Sequence, residues 1–197
     1  SICKLIGATS ALPGGLNQAL GGFTIDCPGL TGSGLLLPNG ISMTGNFEVL
    51  NTNTATIGVT QSPLSVGGNC VISSNYVLAS GGARTMTVAG DFTTNGGTLT
   101  MSTTNGIVGT LNVAGDFSLL GGTIFETPGG SGSGLIAFDG STSQLFTDGG
   151  TVSNNINFTV KNGATLQMAT PTTVLNGAGT FLLEAGATLG ITSPDGI

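Results

Sequence analysis

Asp91 and Asp116 are the residues of this chain best placed for paired-carboxylate chemistry. Each closes the Gly-Asp step of a near-identical hexapeptide: Thr87 to Phe92 reads TVAGDF and Asn112 to Phe117 reads NVAGDF, one repeat apart. Acid/base cleavage of a glycoside needs two carboxyls about 5 to 9.5 Å apart in unlike surroundings. The equivalent upstream positions are Asn46 and Asn69, in Met43-Thr44-Gly45-Asn46-Phe47 and Val66-Gly67-Gly68-Asn69-Cys70. Two carboxylates in a column shared with two amides read as a structural ladder before they read as an acid and a base. Histidine is absent, which removes His-based nucleophilic catalysis and His-ligated zinc. Tyr76 and Arg84 could be imagined as a proton-transfer pair, but Arg84 follows Gly81-Gly82 and reads as an exposed charge on a turn. The nine acids are scattered, whereas Ca²⁺ wants several converging on it. Glycine doublets such as Gly149-Gly150 lack the spacing of phosphate-binding fingerprints. The sequence assigns no catalytic residue, no metal ligand and no cofactor.

The three cysteines divide by position. Cys3 and Cys27 are separated by about one repeat, so if they share a register their Cα atoms lie about 5 Å apart, within disulfide range. Such a bridge would suit an exported protein. Cys70 falls in an apolar column with Phe47, Phe92 and Phe117 and reads as a buried free thiol.

The elements that must hold these residues follow from the repeat. Offsets of 23, 22 and 25 relate the four Gly-(Asn/Asp) sites, and Val160 to Leu166 matches Leu183 to Leu189 at 23. Within each unit apolar residues alternate with Thr, Ser or Asn, as in Thr98-Leu99-Thr100-Met101, the period of a half-buried strand. A unit this short cannot bury its apolar face alone and must stack on its neighbours. The expected fold is all-β: a parallel β-helix, right-handed by the general preference for such crossovers, with about eight coils of ~23 residues and a length on the order of 40 Å. Residues 1–40 read as irregular N-terminal coils or a cap, and 41–197 as the repeats of one continuous solenoid. Asn46, Asn69, Asp91 and Asp116 form the expected polar ladder, with stacked side-chain amides bonding from coil to coil. Phe47, Cys70, Phe92 and Phe117 form the expected inward stack.

Composition agrees. Glycine takes 36 of 197 positions and charged residues only 6%, against roughly 25% in an ordinary domain, which leaves little to build helices from. With 39% hydrophobic residues the chain should fold. A net charge of -6 with three cations offers no basic stripe for a phosphate backbone, so nucleic acid is not an expected partner. No apolar run approaches the ~18 residues of a membrane-spanning helix. Thr98 and Thr100 would meet Thr123 and Phe125 one coil on, so an ice-binding threonine array breaks after one rung.

The stretch from Phe138-Asp139-Gly140-Ser141-Thr142-Ser143-Gln144 through Asn154 to Leu166, together with Leu183 to Ile191, resembles the repeats of very large β-helical, adhesin-like cell-surface proteins of Bacteroidetes. The resemblance is clearest from about Arg84 to Ile197. It implies export by type IX secretion and anchoring outside the outer membrane, and it brings no catalytic residues. The chain opens on Ser1 without Met or a signal-peptide core and stops within a repeat, which reads as a processed chain or an excised piece. The expectation is a non-catalytic segment of an extracellular, cell-surface stalk or filament. Its partners would be further coils of the same chain or stacked subunits, with a surface glycan or receptor as ligand. The alternatives are a glycan-binding or glycan-cleaving β-helix and an ice-binding solenoid. Asn157-Phe158-Thr159 is an acceptor sequon whose use depends on the host.

Overall fold

The computed structural model describes residues 1–31, 35–127 and 134–192, which contain strands and turns and no α-helix. Every strand pairing is parallel. The chain is a β-solenoid whose coils carry strands on up to three faces. The first face runs from Ile2–Ile6 through Gly22–Asp26, Phe47–Asn51 and Cys70–Ile72 to Thr188–Gly190. The second holds Leu35–Leu37, Ile57–Val59, Tyr76–Ala79 and Thr151–Ser153. Two long strands, Phe92–Ser102 and Phe117–Glu126, turn the corner between these faces and join them into one 13-stranded sheet. Glycines make that corner: Gly96 and Gly97 have φ of 103° and 63°, a region closed to most side chains. The third face is a separate sheet of eight strands, one per coil, from Ala19–Leu20 to Phe181–Leu183.

The alternation seen in the sequence sorts side chains in and out. On the first face one inward column runs Cys3, Phe23, Phe47, Cys70, Phe92, Phe117, Phe146 and Met168. Its rings stack, Phe92 on Phe117 at 5.3 Å and Phe117 on Phe146 at 5.4 Å between centroids. The third face supplies Leu20, Met43, Val66, Val88, Val113, Phe138 and Val160, and Phe138 meets Phe117 edge-on at 5.8 Å. Each ring so buried contributes roughly 1.5–3 kcal/mol of transfer free energy.

One coil exchanges its sizes. Where its neighbours in the first-face column have Phe, this coil has Cys70, fully buried. Where its second-face neighbours have Ile57 and Leu99, it has Tyr76, whose ring lies 5.8 Å from that of Phe47. The larger ring occupies the room that the thiol leaves. Tyr76 is 0% exposed and its hydroxyl has no partner among the described residues; burial, reinforced by Cys70, raises its pKa well above the usual phenol value.

The Cys3–Cys27 bridge does not form: all three cysteines are free. The first coil is shorter than the bridge requires, so Cys3 lies opposite Phe23, and Cys27 falls four positions further along the chain. The Cys27 Sγ donates instead to the carbonyl of Leu5, at 3.5 Å. Strands within 1–40 already belong to the sheets that continue beyond residue 41, with Ala8, Leu12 and Leu16 packed against the same core.

Candidate functional site

The predicted ladder lies along the corner that leads onto the first face, and its geometry is specific. The backbone N–H of Asn69 donates to Asn46 Oδ1 at 3.0 Å, that of Asp91 to Asn69 Oδ1 at 2.9 Å, that of Asp116 to Asp91 Oδ1 at 2.9 Å, and that of Leu145 to Asp116 Oδ1 at 2.8 Å. The bond is therefore side chain to main chain, not amide to amide as stacking alone suggested. It suits Asn and Asp equally, because only an acceptor oxygen on a short arm is used. The carbonyls of Asn69, Asp91 and Asp116 accept N–H bonds from Phe47, Cys70 and Phe92 at 2.8–2.9 Å. Asn69, Asp91 and Asp116 thus each tie their own coil to the preceding one through both main-chain groups.

This explains the glycine in three of the four Gly-(Asn/Asp) pairs; in the first, a Cβ on Gly45 would meet the carbonyl of Gly21 instead. A Cβ on Gly68, Gly90 or Gly115 would run into the Oδ1 of Asn46, Asn69 or Asp91 respectively. Their N–H groups donate to the glycine carbonyls of the preceding coil at 3.0–3.1 Å. The motif is one unit: glycine leaves room for the oxygen that the next residue's amide needs.

Asp91 and Asp116 are thereby placed one coil apart as successive acceptors in the same ladder. Arg84 is the first residue of the strand Arg84–Val88 and is half-buried, while Tyr76 points into the core. Among the described residues no three Cys, Asp or Glu are grouped to hold a metal ion.

Where the Gly-(Asn/Asp) pattern lapses, a residue that sequence reasoning missed takes over. Gln144, 1% exposed, accepts the Gly140 N–H at 2.9 Å and donates to the carbonyls of Val113 and Gly115 at 2.8 and 2.5 Å. Its signal was the lengthened step in that coil, which separates Phe117 from its partner Phe146. Further along, Glu184 binds Lys161 Nζ at 2.8 Å and the Asn162 N–H at 3.0 Å. The Lys161 hydrogen bond, then that N–H, hold its carboxyl below the usual glutamate value.

Two outer surfaces flank these corners. A shallow groove on the third face crosses successive coils at Ser42, Ser65, Thr87 and Asn112, with Asp139 at one end. On the second face Thr98, Thr123 and Thr151 are in register over three coils, beside Thr100, Phe125 and Ser153. The threonine column is one rung longer than the sequence indicated, and Phe125 still interrupts its neighbour. Asn157 of the sequon accepts the N–H and Oγ1 of Thr180 at 2.8 and 3.0 Å, and Thr159 is buried. Compared with protein families, with curated proteins and with solved structures, the chain finds no match.

Proposed function

We propose that the chain serves as a stiff, non-catalytic segment of an extracellular adhesin, stalk or surface filament. The observation that supports this is the corner ladder, in which one bond is repeated from Asn46 to Leu145 parallel to the stacking direction. It runs beside sheets whose strand pairs are also bonded coil to coil. Bending or pulling such a stack must break several bonds per coil together, which is the mechanical property a stalk requires. The acids nearest to a catalytic pair accept main-chain amides in that same ladder. The surface location rests on the resemblance of residues 84–197 to Bacteroidetes adhesin repeats.

Single-molecule pulling from the two ends tests the mechanical reading. The expected record is a series of force peaks, each releasing one coil's length of chain. Extension at negligible force, with no coil-sized steps, would overturn it. A second reading, glycan binding, is favoured by the groove of Ser42, Ser65, Thr87 and Asn112, whose hydroxyl and amide groups suit sugar hydroxyls. Incubation with a polysaccharide panel separates the two: retention would support the groove, and released saccharide would defeat the non-catalytic reading.

A further inference from the structure

We infer that Asn162 is a site of spontaneous deamidation, a reaction that the fold leaves open at this Asn-Gly step and guards at Asn39. The chain has five such steps, at Asn39, Asn95, Asn105, Asn162 and Asn176. In this reaction the glycine nitrogen attacks the Asn Cγ and closes a five-membered succinimide. The bond from Cγ to the amide nitrogen breaks, and ammonia leaves carrying the proton that the glycine N–H gives up. Water then opens the ring at either carbonyl, giving an aspartyl or an isoaspartyl residue. The step is fastest with a free carboxamide, a free N–H on the following residue and no Cβ there.

The fold meets these needs unequally. Asn39 Oδ1 accepts a hydrogen bond from Thr60 Oγ1 at 3.2 Å, and the Gly40 N–H is held by Gln61 Oε1 at 2.6 Å. The Asn176 amide donates to Asp148 Oδ2 at 3.3 Å. Asn95 lies inside the strand Phe92–Ser102, opposite Gly121; Asn105 and Gly106 sit in an exposed turn closed by the Ile107 N–H on the Thr104 carbonyl at 3.1 Å, with Gly106 at φ 74°, but Asn105 is not free there. Asn162 and Gly163 are both exposed. They occupy the centre of a turn closed by the Ala164 N–H on the Lys161 carbonyl at 2.9 Å, with Gly163 at φ 82°. This is a type II turn, whose closing bond does not use the central amide. Among the described residues neither the Asn162 carboxamide nor the Gly163 N–H has a hydrogen-bond partner.

The product would matter locally. The Asn162 N–H binds Glu184 Oε2, and its Oδ1 lies 2.8 Å from where a Cβ on Gly186 would stand. Deamidation puts a second carboxylate beside Glu184, and the isoaspartyl form adds a methylene to the main chain of a stacked turn. Both loosen the coil that carries Phe181–Leu183.

The test is to hold the purified chain in mildly alkaline buffer and follow each Asn-Gly step by peptide mapping, with fragmentation that distinguishes isoaspartate, alongside released ammonia. Asn162 should convert first, on the order of tenfold faster than Asn39, and the two rates should converge in concentrated urea, where the fold no longer guards either. The variant Asn162→Gln, whose ring closure is far slower, should abolish the early ammonia. Equal rates in the folded chain, a ratio unchanged by urea, or early ammonia persisting in Asn162→Gln would each overturn the inference.

Discussion

Replacing Cys70 by Phe and Tyr76 by Leu, singly and together, tests how the core accommodates the coil whose residue sizes are exchanged. Cys70 is fully buried between Phe47 and Phe92 in the inward column. A phenyl ring added there must compete with the Tyr76 ring, 5.8 Å from Phe47, and overpacking of this kind costs about 1–3 kcal/mol. Tyr76→Leu alone removes a large buried ring, a loss of about 1–3 kcal/mol after allowing for the carbons that Leu retains. Part of this is offset, because an unpartnered buried hydroxyl that itself costs about 1–3 kcal/mol disappears with the ring. The double variant restores the pattern of the neighbouring coils, with Phe on the first face and an aliphatic residue on the second. It should unfold near the wild-type urea midpoint, giving a coupling free energy of about 1–3 kcal/mol in favour of the pair. Urea titrations followed by circular dichroism on the four proteins measure it. Additivity within about 0.5 kcal/mol would show that the two side chains do not share space and would refute the reasoning.

Three further outcomes follow from the ladder, the turns and the thiols. Gly90→Ala places a Cβ against Asn69 Oδ1 and should cost about 1–3 kcal/mol, whereas Gly14→Ala, with nothing within 4 Å, should be neutral or slightly stabilising in the same urea assay. The Glu184 carboxyl has its pKa lowered in the fold, so its contribution is present above the ordinary value of 4.5 and is lost as pH falls through the depressed folded value. Hydrogen-exchange protection in Phe181–Leu183, measured against the intrinsic rate at each pH, should fall over that acid range in the wild type and not in Glu184→Gln. Toward a maleimide, Cys3 should react in the folded chain while the fully buried Cys27 and Cys70 react only after denaturation. Burial also raises the Cys70 thiol pKa far above its normal value. In the denatured chain, three alkylated thiols without prior reduction would agree with the free cysteines, and a single one would contradict them.

How much of this was legible in the sequence depended on where the repeat kept its length. The TVAGDF and NVAGDF copies fix one full step of the stack, and Phe92 does pair with Phe117. The same alignment carries Asn46, Asn69, Asp91 and Asp116 to one corner, because each step of 22 to 25 residues closes one coil of the parallel stack. The hydrogen-bond donor was not legible: side-chain stacking is a pairwise idea, whereas the actual donor is the main-chain amide beside a glycine whose missing Cβ makes the room. The first coil misled because its step is shorter than the others, pairing Cys3 with Phe23 and leaving Cys27 beyond reach. The division into three faces was also hidden, since alternation marks which side chains point inward but not where glycines such as Gly96 and Gly97 bend the strand. Gln144 escaped notice because its register partners in the following coils, Leu166 and Leu189, are apolar, so nothing in the repeat marks the position as polar.

The stacking of equivalent residues is tested most directly by spin-label distances on the outer column Lys4, Thr24, Glu48, Val71, Thr93, Ser118 and Thr147. In a Cys3→Ser background, labels at positions 24 and 147 are five coils apart and should give a narrow distribution centred near roughly 24 Å, at about 4.8 Å per coil. Moving the first label to position 4 should lengthen it by one coil, to roughly 29 Å. Broad distributions, or two pairs that do not differ by a single coil spacing, would contradict the solenoid and the stalk built on it.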